Sequence, residues 1–206
     1  SNVVIQGVLG IGGIIAFADA SATCTNSFTN CYVHSDVLIQ RTAYDTNDDG
    51  EDDKYYNDNG YGYGTAIGGI VGVITNNNNG YVTFSGIVSF QGTIDLDESN
   101  GEINISAEDA ARNVGGVVGY MGTTARMEQC LVNIGGKILD CGDNASNIGG
   151  FAGISKGVCL DGMFLVYPTL DTAGADNVGG FIGYNDGNTY ITRTAIVYTT
   201  YIDEGS

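Results

Sequence analysis

The chain has 206 residues, among them 33 glycines and a single proline, and carries a formal net charge of −17 from 24 acidic and seven basic side chains. Phosphate backbones and anionic membranes repel such a surface, which argues against nucleic acid as a partner, and no 18-residue apolar run offers a transmembrane helix. Apolar residues make up 43% of the chain, enough for a core, and this much glycine without a collagen period implies many tight turns and close backbone contacts.

From the N-terminus, Val3 to Ala18 is apolar but broken by glycines and lacks a basic leader, so no signal peptide is read there. Within it begins a motif that occurs five times: Ile11-Gly12-Gly13, Ile67-Gly68-Gly69, Val114-Gly115-Gly116, Ile148-Gly149-Gly150 and Val178-Gly179-Gly180. Two mostly apolar residues follow each time, and then a small one: Ala16, Gly72, Gly119, Gly153 and Gly183. Each segment continues through a polar loop into a β-rich stretch ending at Ile39, Ile94, Ile138, Leu170 or Ile202. Such a repeat predicts an all-β, quasi-one-dimensional fold, a β-solenoid of about five repeats forming one elongated domain over residues 1–206. A β-sandwich of Gly-turned hairpins is the alternative.

Counting back from the last apolar residue gives columns at a period of two, the strand period. Six positions back stand Val33, Val88, Val132, Phe164 and Ile196; eight back, Cys31, Gly86, Cys130, Gly162 and Thr194. Four back stand Ser35, Phe90, Ile134, Val166 and Tyr198, with Ser35 the polar exception. These columns are expected to stack inward. Insertions at 40–66, 95–113 and 139–147 interrupt the repeats, and insertions on such folds fall on loops at one face. The second contains Ser106 to Arg112, a candidate helical turn capped by Ser106.

The text Val114-Gly115-Gly116-Val117-Val118-Gly119-Tyr120, with Val178-Gly179-Gly180-Phe181-Ile182-Gly183-Tyr184-Asn185, resembles the GLUG motif, and Asn30-Cys31-Tyr32-Val33 is similar to its second half. The resemblance covers five segments, about two-thirds of the chain, and departs at Ala16, where the third glycine is replaced. It implies an extracellular, often adhesin-like or cell-surface protein without known catalytic residues.

The sharpest chemical motif is Asp45-Thr46-Asn47-Asp48-Asp49-Gly50-Glu51-Asp52-Asp53. Oxygen ligands at alternate positions followed by glycine let a short loop wrap a hard cation. Asp45, Asn47 and Asp49 would supply side chains, Glu51 its carbonyl, and Asp53 the last ligand, for one Ca²⁺. Tyr56 stands where an EF-hand closes with Glu, and no helices flank the loop; the text resembles the DxDxDGxxD loops found between β-strands. Tyr55, Tyr56, Tyr61 and Tyr63 follow among Asn and Gly, as candidate ligand contacts or as rings packed on the repeats.

Asp95 and Asp97 share a strand face, a carboxylate pair of the kind glycosidases use, though the text reads as a strand running into a turn. His34-Ser35-Asp36 holds relay residue types consecutively, which a strand would point to opposite faces. Asn104 and Asn144 open glycosylation sequons. Cys24, Cys31, Cys130, Cys141 and Cys159 form no metal-ligand spacing and suit two disulfides and a spare thiol. One repeat advances about 4.8 Å, so Cys31 and Cys130, two repeats apart, would be roughly 9–10 Å from each other, too far to bond. Cys24 is the expected partner of Cys31.

These features point to an extracellular structural or adhesive repeat protein, calcium-stabilised and not an enzyme. The alternatives are a carbohydrate-binding module using the tyrosines, or a β-helical polysaccharide lyase or hydrolase. Apolar residues run close to both ends without a polar cap, so the expected partner is another copy, head to tail in a filament, or else a cell-surface glycan.

Overall fold

The computed structural model describes residues 3–7, 10–19, 25–41, 65–75, 80–96, 112–139, 145–156, 159–161, 164–166, 169–172, 174–193, 195–197 and 202–203, and the structural statements here concern those residues. All regular structure in them is β. A first strand, β1 (Val3–Gly7), is followed by five repeats. The first comprises β2 (Ile11–Gly12), β3 (Ile15–Ala18), β4 (Asn26–Val33) and β5 (Val37–Arg41). The second comprises β6 (Ile67–Gly68), β7 (Val71–Ile74), β8 (Val82–Phe90) and β9 (Thr93–Asp95). The third holds β10 (Arg112–Gly115), β11 (Val118–Met121), β12 (Ala125–Ile134) and β13 (Lys137–Leu139). The fourth holds β14 (Ser146–Gly149), β15 (Ala152–Ser155), β16 (Cys159–Asp161), β17 (Phe164–Val166) and β18 (Thr169–Asp171). The fifth holds β19 (Asp176–Gly179), β20 (Ile182–Asn185), β21 (Tyr190–Thr192), β22 (Ala195–Val197) and β23 (Ile202–Asp203).

The strands fall into four sheets. Three are ordered β1-β5-β9-β13-β18-β23, β19-β14-β10-β6-β2 and β20-β15-β11-β7-β3; the fourth joins β4, β8 and β12 to β16 and β21 and to β17 and β22. Every pairing among them is parallel. Consecutive strands therefore lie in different sheets, and each pairs with its counterpart one repeat away. Parallel strands need a long crossover, and here the crossover is a whole repeat. The antiparallel hairpins of the sandwich alternative are absent among the described residues.

The closing column forms as the sequence predicts: Ile39 lies opposite Ile94, Ile94 opposite Ile138, Ile138 opposite Leu170, and Leu170 opposite Ile202. Ile5 of β1 extends it, opposite Ile39. Gly86 and Cys130, Val88 and Val132, and Phe90 and Ile134 also pair as expected.

Two expectations about the other columns are corrected. Val33 lies opposite Phe90, and Cys31 opposite Val88, two residues from their predicted places. The register shifts between Thr29 and Cys31, where Asn30 has φ 54° and Gly86 of the facing strand φ 69°. The Ile87 N–H donates to the Asn30 carboxamide oxygen at 3.0 Å, which takes the place of a ladder bond. The surplus residues of the first repeat form a turn at Ser35 and Asp36, closed by the Val37 N–H donating to the His34 carbonyl at 3.1 Å. Ser35 is thus polar because it is an exposed turn residue and not a member of the apolar column. Leu165 likewise stands opposite Val132 and Ile196 where Phe164 was expected.

The core holds Val88, Phe90, Ile94, Val132, Ile134 and Ile138 among others, all fully buried. Phe28 and Phe84 stack along it with centroids 5.0 Å apart. Each such side chain contributes about 1.5–3 kcal/mol relative to exposure. Strands β7, β11 and β15 are buried on both faces, with Ala66, Val73, Tyr120 and Ile154 forming a second apolar cluster. The apolar text of β7 and β11, and of β15 up to Ser155, is what two-sided burial of parallel strands requires.

The repeated glycines mark backbone-to-backbone contact. A Cβ on Gly12, Gly68 or Gly149 would fall 1.9 Å from the carbonyl oxygen three residues on. One on Gly13, Gly69 or Gly116 would come within 2.2–2.3 Å of the matching glycine oxygen in the following repeat. No side chain fits either place, so the Gly-Gly pair sets how closely the repeats approach.

Candidate functional site

Both long insertions leave and rejoin the same corner. Residues 42–66 connect β5 to β6, 96–111 connect β9 to β10, and 140–145 connect β13 to β14. Strands β5, β9 and β13 are neighbours in one sheet, and β6, β10 and β14 in another. The connections therefore emerge one above the next. Their bounds differ slightly from expectation, because Gln40, Arg41, Asp95, Arg112 and Asn113 belong to strands. Residues 42–64 and 97–111 together carry 12 of the 24 acidic side chains.

The corner is fixed by the backbone. The Arg112 N–H donates to the Thr65 carbonyl at 3.1 Å, and the Asp176 N–H to the Ala145 carbonyl at 2.9 Å. Beside these bonds runs a ladder that the columns above do not include. Asn113, Asn147 and Asn177 stand immediately before three of the Val/Ile-Gly-Gly turns, with φ of 62°, 56° and 55°. The Asn147 carboxamide donates to Asn113 Oδ1 at 2.8 Å, and the Asn177 carboxamide to Asn147 Oδ1 at 3.0 Å. Asparagine tolerates the left-handed conformation better than other residues with side chains. Gly10, with φ 44°, fills the place in the first repeat. The signal was available as Asn-Val/Ile-Gly-Gly in three repeats.

The candidate calcium ligands Asp45, Asn47, Asp49, Glu51 and Asp53, the tyrosines Tyr55, Tyr56, Tyr61 and Tyr63, the sequon residues Asn104 and Asn144, and Asp97 lie outside the described residues, as does most of the candidate helical turn. So do Cys24 and Cys141. Asp95 ends β9, facing Gln40 and Leu139 across the sheet. Among the described residues no group of three or more His, Cys, Asp and Glu is placed to hold a metal, and no helix is long and apolar enough to cross a membrane.

His34, Ser35 and Asp36 do approach one another, in a turn and not on the expected strand. Ser35 Oγ lies 3.5 Å from His34 Nδ1, and Asp36 Oδ2 lies 3.5 Å from the same nitrogen, which also accepts the Asp36 N–H at 3.2 Å. A nucleophilic relay needs the hydroxyl and the carboxylate at opposite ring nitrogens, so this arrangement is a turn motif.

Several basic groups are engaged. The Arg126 guanidinium lies 3.4 Å above the Tyr81 ring. Lys156 pairs with Asp186. Arg193 pairs with Asp161, which also accepts from Thr192 Oγ1 at 2.6 Å. The last two pairs tie the fourth repeat to the fifth. Cys31 and Cys130 are free thiols. Burial, and then the nearby Cys31, pushes the Cys130 thiol up to about 12, and burial raises Cys31 as well.

The chain matches no protein-family profile, no curated protein and no solved structure.

Proposed function

We propose that the chain is a β-solenoid whose function is structural and adhesive, presenting an acidic, tyrosine-rich corner outside the cell. The observation that supports it best is the convergence of the three insertions on one edge of a parallel stack. In this reading the stack is the rigid part, each repeat closing one turn. The loop from Asp45 to Asp53 binds Ca²⁺ and stiffens the longest insertion. The GLUG resemblance supports the extracellular assignment. A catalytic role is not part of the proposal, because His34 and its neighbours lack relay geometry and Arg126, Lys156 and Arg193 already have partners.

Calorimetry of chelated protein titrated with Ca²⁺ tests the metal. One site is expected, with Asp49→Ala abolishing both the heat and the calcium-dependent gain in Tm. A flat titration rejects the calcium loop. The tyrosines of the same insertion favour a second reading, a carbohydrate-binding module. A glycan array separates the two, since glycan binding lost in Tyr61→Ala and Tyr63→Ala selects the module.

A further inference from the structure

The two ends of the stack look equally open. At the N-terminal end Ile14 is 44% and Phe17 49% exposed, whereas Ile70 and Val73, one repeat inward, are fully buried. At the other end Val178 is 37% and Tyr184 45% exposed, against 0% and 1% for Val114 and Tyr120. Apolar edges of this kind invite a second copy to stack head to tail.

The third small residue of each repeat decides whether the copies fit. A Cβ on Gly72 would fall 2.7 Å from the Gly10 carbonyl carbon and the Ile11 nitrogen. On Gly153 it would fall 2.3 Å from the Asn113 carbonyl carbon and 2.4 Å from the Val114 nitrogen, and on Gly183 2.5 Å from the Asn147 carbonyl carbon. Gly119 shows the same approach to the Ile67 nitrogen, at 2.5 Å. In every case the blocked direction points at the left-handed corner or turn entry of the preceding repeat. The fifth member of this column is Ala16, in the first repeat, and it is exposed. A second copy stacked in register would bring its Asn177–Val178 corner to the place the Ala16 methyl occupies. Backbone atoms do not give way to a Cβ at such distances without opening the sheet.

The other side of the same end is already filled. Strand β1 lies on β5, with Val3 opposite Val37 and Ile5 opposite Ile39. In a head-to-tail stack that place belongs to the preceding copy's β23, whose Ile202 sits in the same column. The first sheet thus has one strand more than in-register stacking of identical copies allows.

We infer that the N-terminal end is closed to a second copy of this chain, with the Ala16 methyl blocking one corner and β1 occupying the opposite side. Copies of these 206 residues therefore do not stack head to tail in register. This inference rests on the stacked-turn reading of the fold.

Sedimentation velocity at rising concentration, with electron microscopy, tests it on the full chain. The wild type and Val4→Pro, which loosens β1 but keeps Ala16, are expected to remain single species. Ala16→Gly, which leaves β1 on β5, is also expected to remain a single species, and only the double variant is expected to associate, as rods that lengthen along one axis. Lengthwise rods from the wild type or from either single variant overturn the inference. So does failure of the double variant to associate. Ala16 is exposed on an end strand, so the single variant folds. Gly153→Ala serves as the separate control: if it is as stable as the wild type, the stacked-turn reading itself fails, independently of what Ala16 does.

Discussion

The Gly-Gly corner and the long-strand side of each repeat solve the same stacking problem in opposite ways. At the corner the spacing Gly-Gly-x-x-small is kept in all five repeats, and the pairings Gly12–Gly68, Gly68–Gly115 and Gly115–Gly149 hold without a shift. On the long side the register slips between Thr29 and Cys31 and again between Met127 and Cys130, with Asn30, Gly86 and Gln129 all at positive φ. Backbone touches backbone at the corner, so one extra atom is too many. On the long side, side chains fill the space, and a bulge absorbs an extra residue by bending the strand.

The largest effect that could break this contrast is Gly153→Ala. Its Cβ meets the backbone of Asn113 and Val114, and overpacking of this kind costs about 3 kcal/mol. Chemical denaturation measures it, and a loss below about 1 kcal/mol would show that the corner yields as the long side does.

Next comes the ladder. Asn147→Ala loses two carboxamide bonds and puts a Cβ-bearing residue without a polar group at φ 56°, for an expected loss of about 2 kcal/mol. Asn147→Gly keeps the backbone at ease and should cost about 1 kcal/mol. Equal losses from both would mean that conformation is not the reason asparagine stands there.

On the long side the same insult should matter less. Gly86→Ala meets the end of the Asn30 side chain, which can turn away at the loss of its bond from the Ile87 N–H, and adds the strain of a left-handed φ, about 2 kcal/mol together. A loss as large as that of Gly153→Ala would erase the distinction.

The smallest effect at neutral pH, and the one that sharpens the picture of the long-side interior, is the titration of Cys130. Its folded value is raised to about 12 from an ordinary 9.0. The thiol is therefore favoured in the fold, and its contribution is complete below pH 9 and lost as pH rises from there toward 12. Stability measured across that window should fall less steeply in Cys130→Ala. An alkylating reagent should also label the half-buried Cys31 before Cys130.

Much of the architecture was legible because the constraints at the corner are written in single residues. The closing column from Ile39 to Ile202 could be read by counting, since each repeat returns to the same corner. Val33 was misplaced because the turn at Ser35 and Asp36 adds two residues without disturbing the alternation of apolar residues, and Phe164 because its repeat has one residue fewer before Leu170 than the third repeat has before Ile138. Asn113, Asn147 and Asn177 recur before three of the turns, but their left-handed φ and their carboxamide ladder show only in the folded chain.

By itself the sequence determined that the chain is all-β, that it repeats five times, and that glycine stands where the repeats are closest. It also marked 40–66 and 95–113 as interruptions. These are local facts, set by steric rules acting on one residue at a time. Only the tertiary structure decided that all pairings are parallel, that Cys31 faces Val88, that Val73 and Tyr120 are buried on the outer side of their sheet, and that the insertions share one corner. It alone gave Ala16 a meaning, because a missing glycine is informative only when the neighbour its side chain would strike is known.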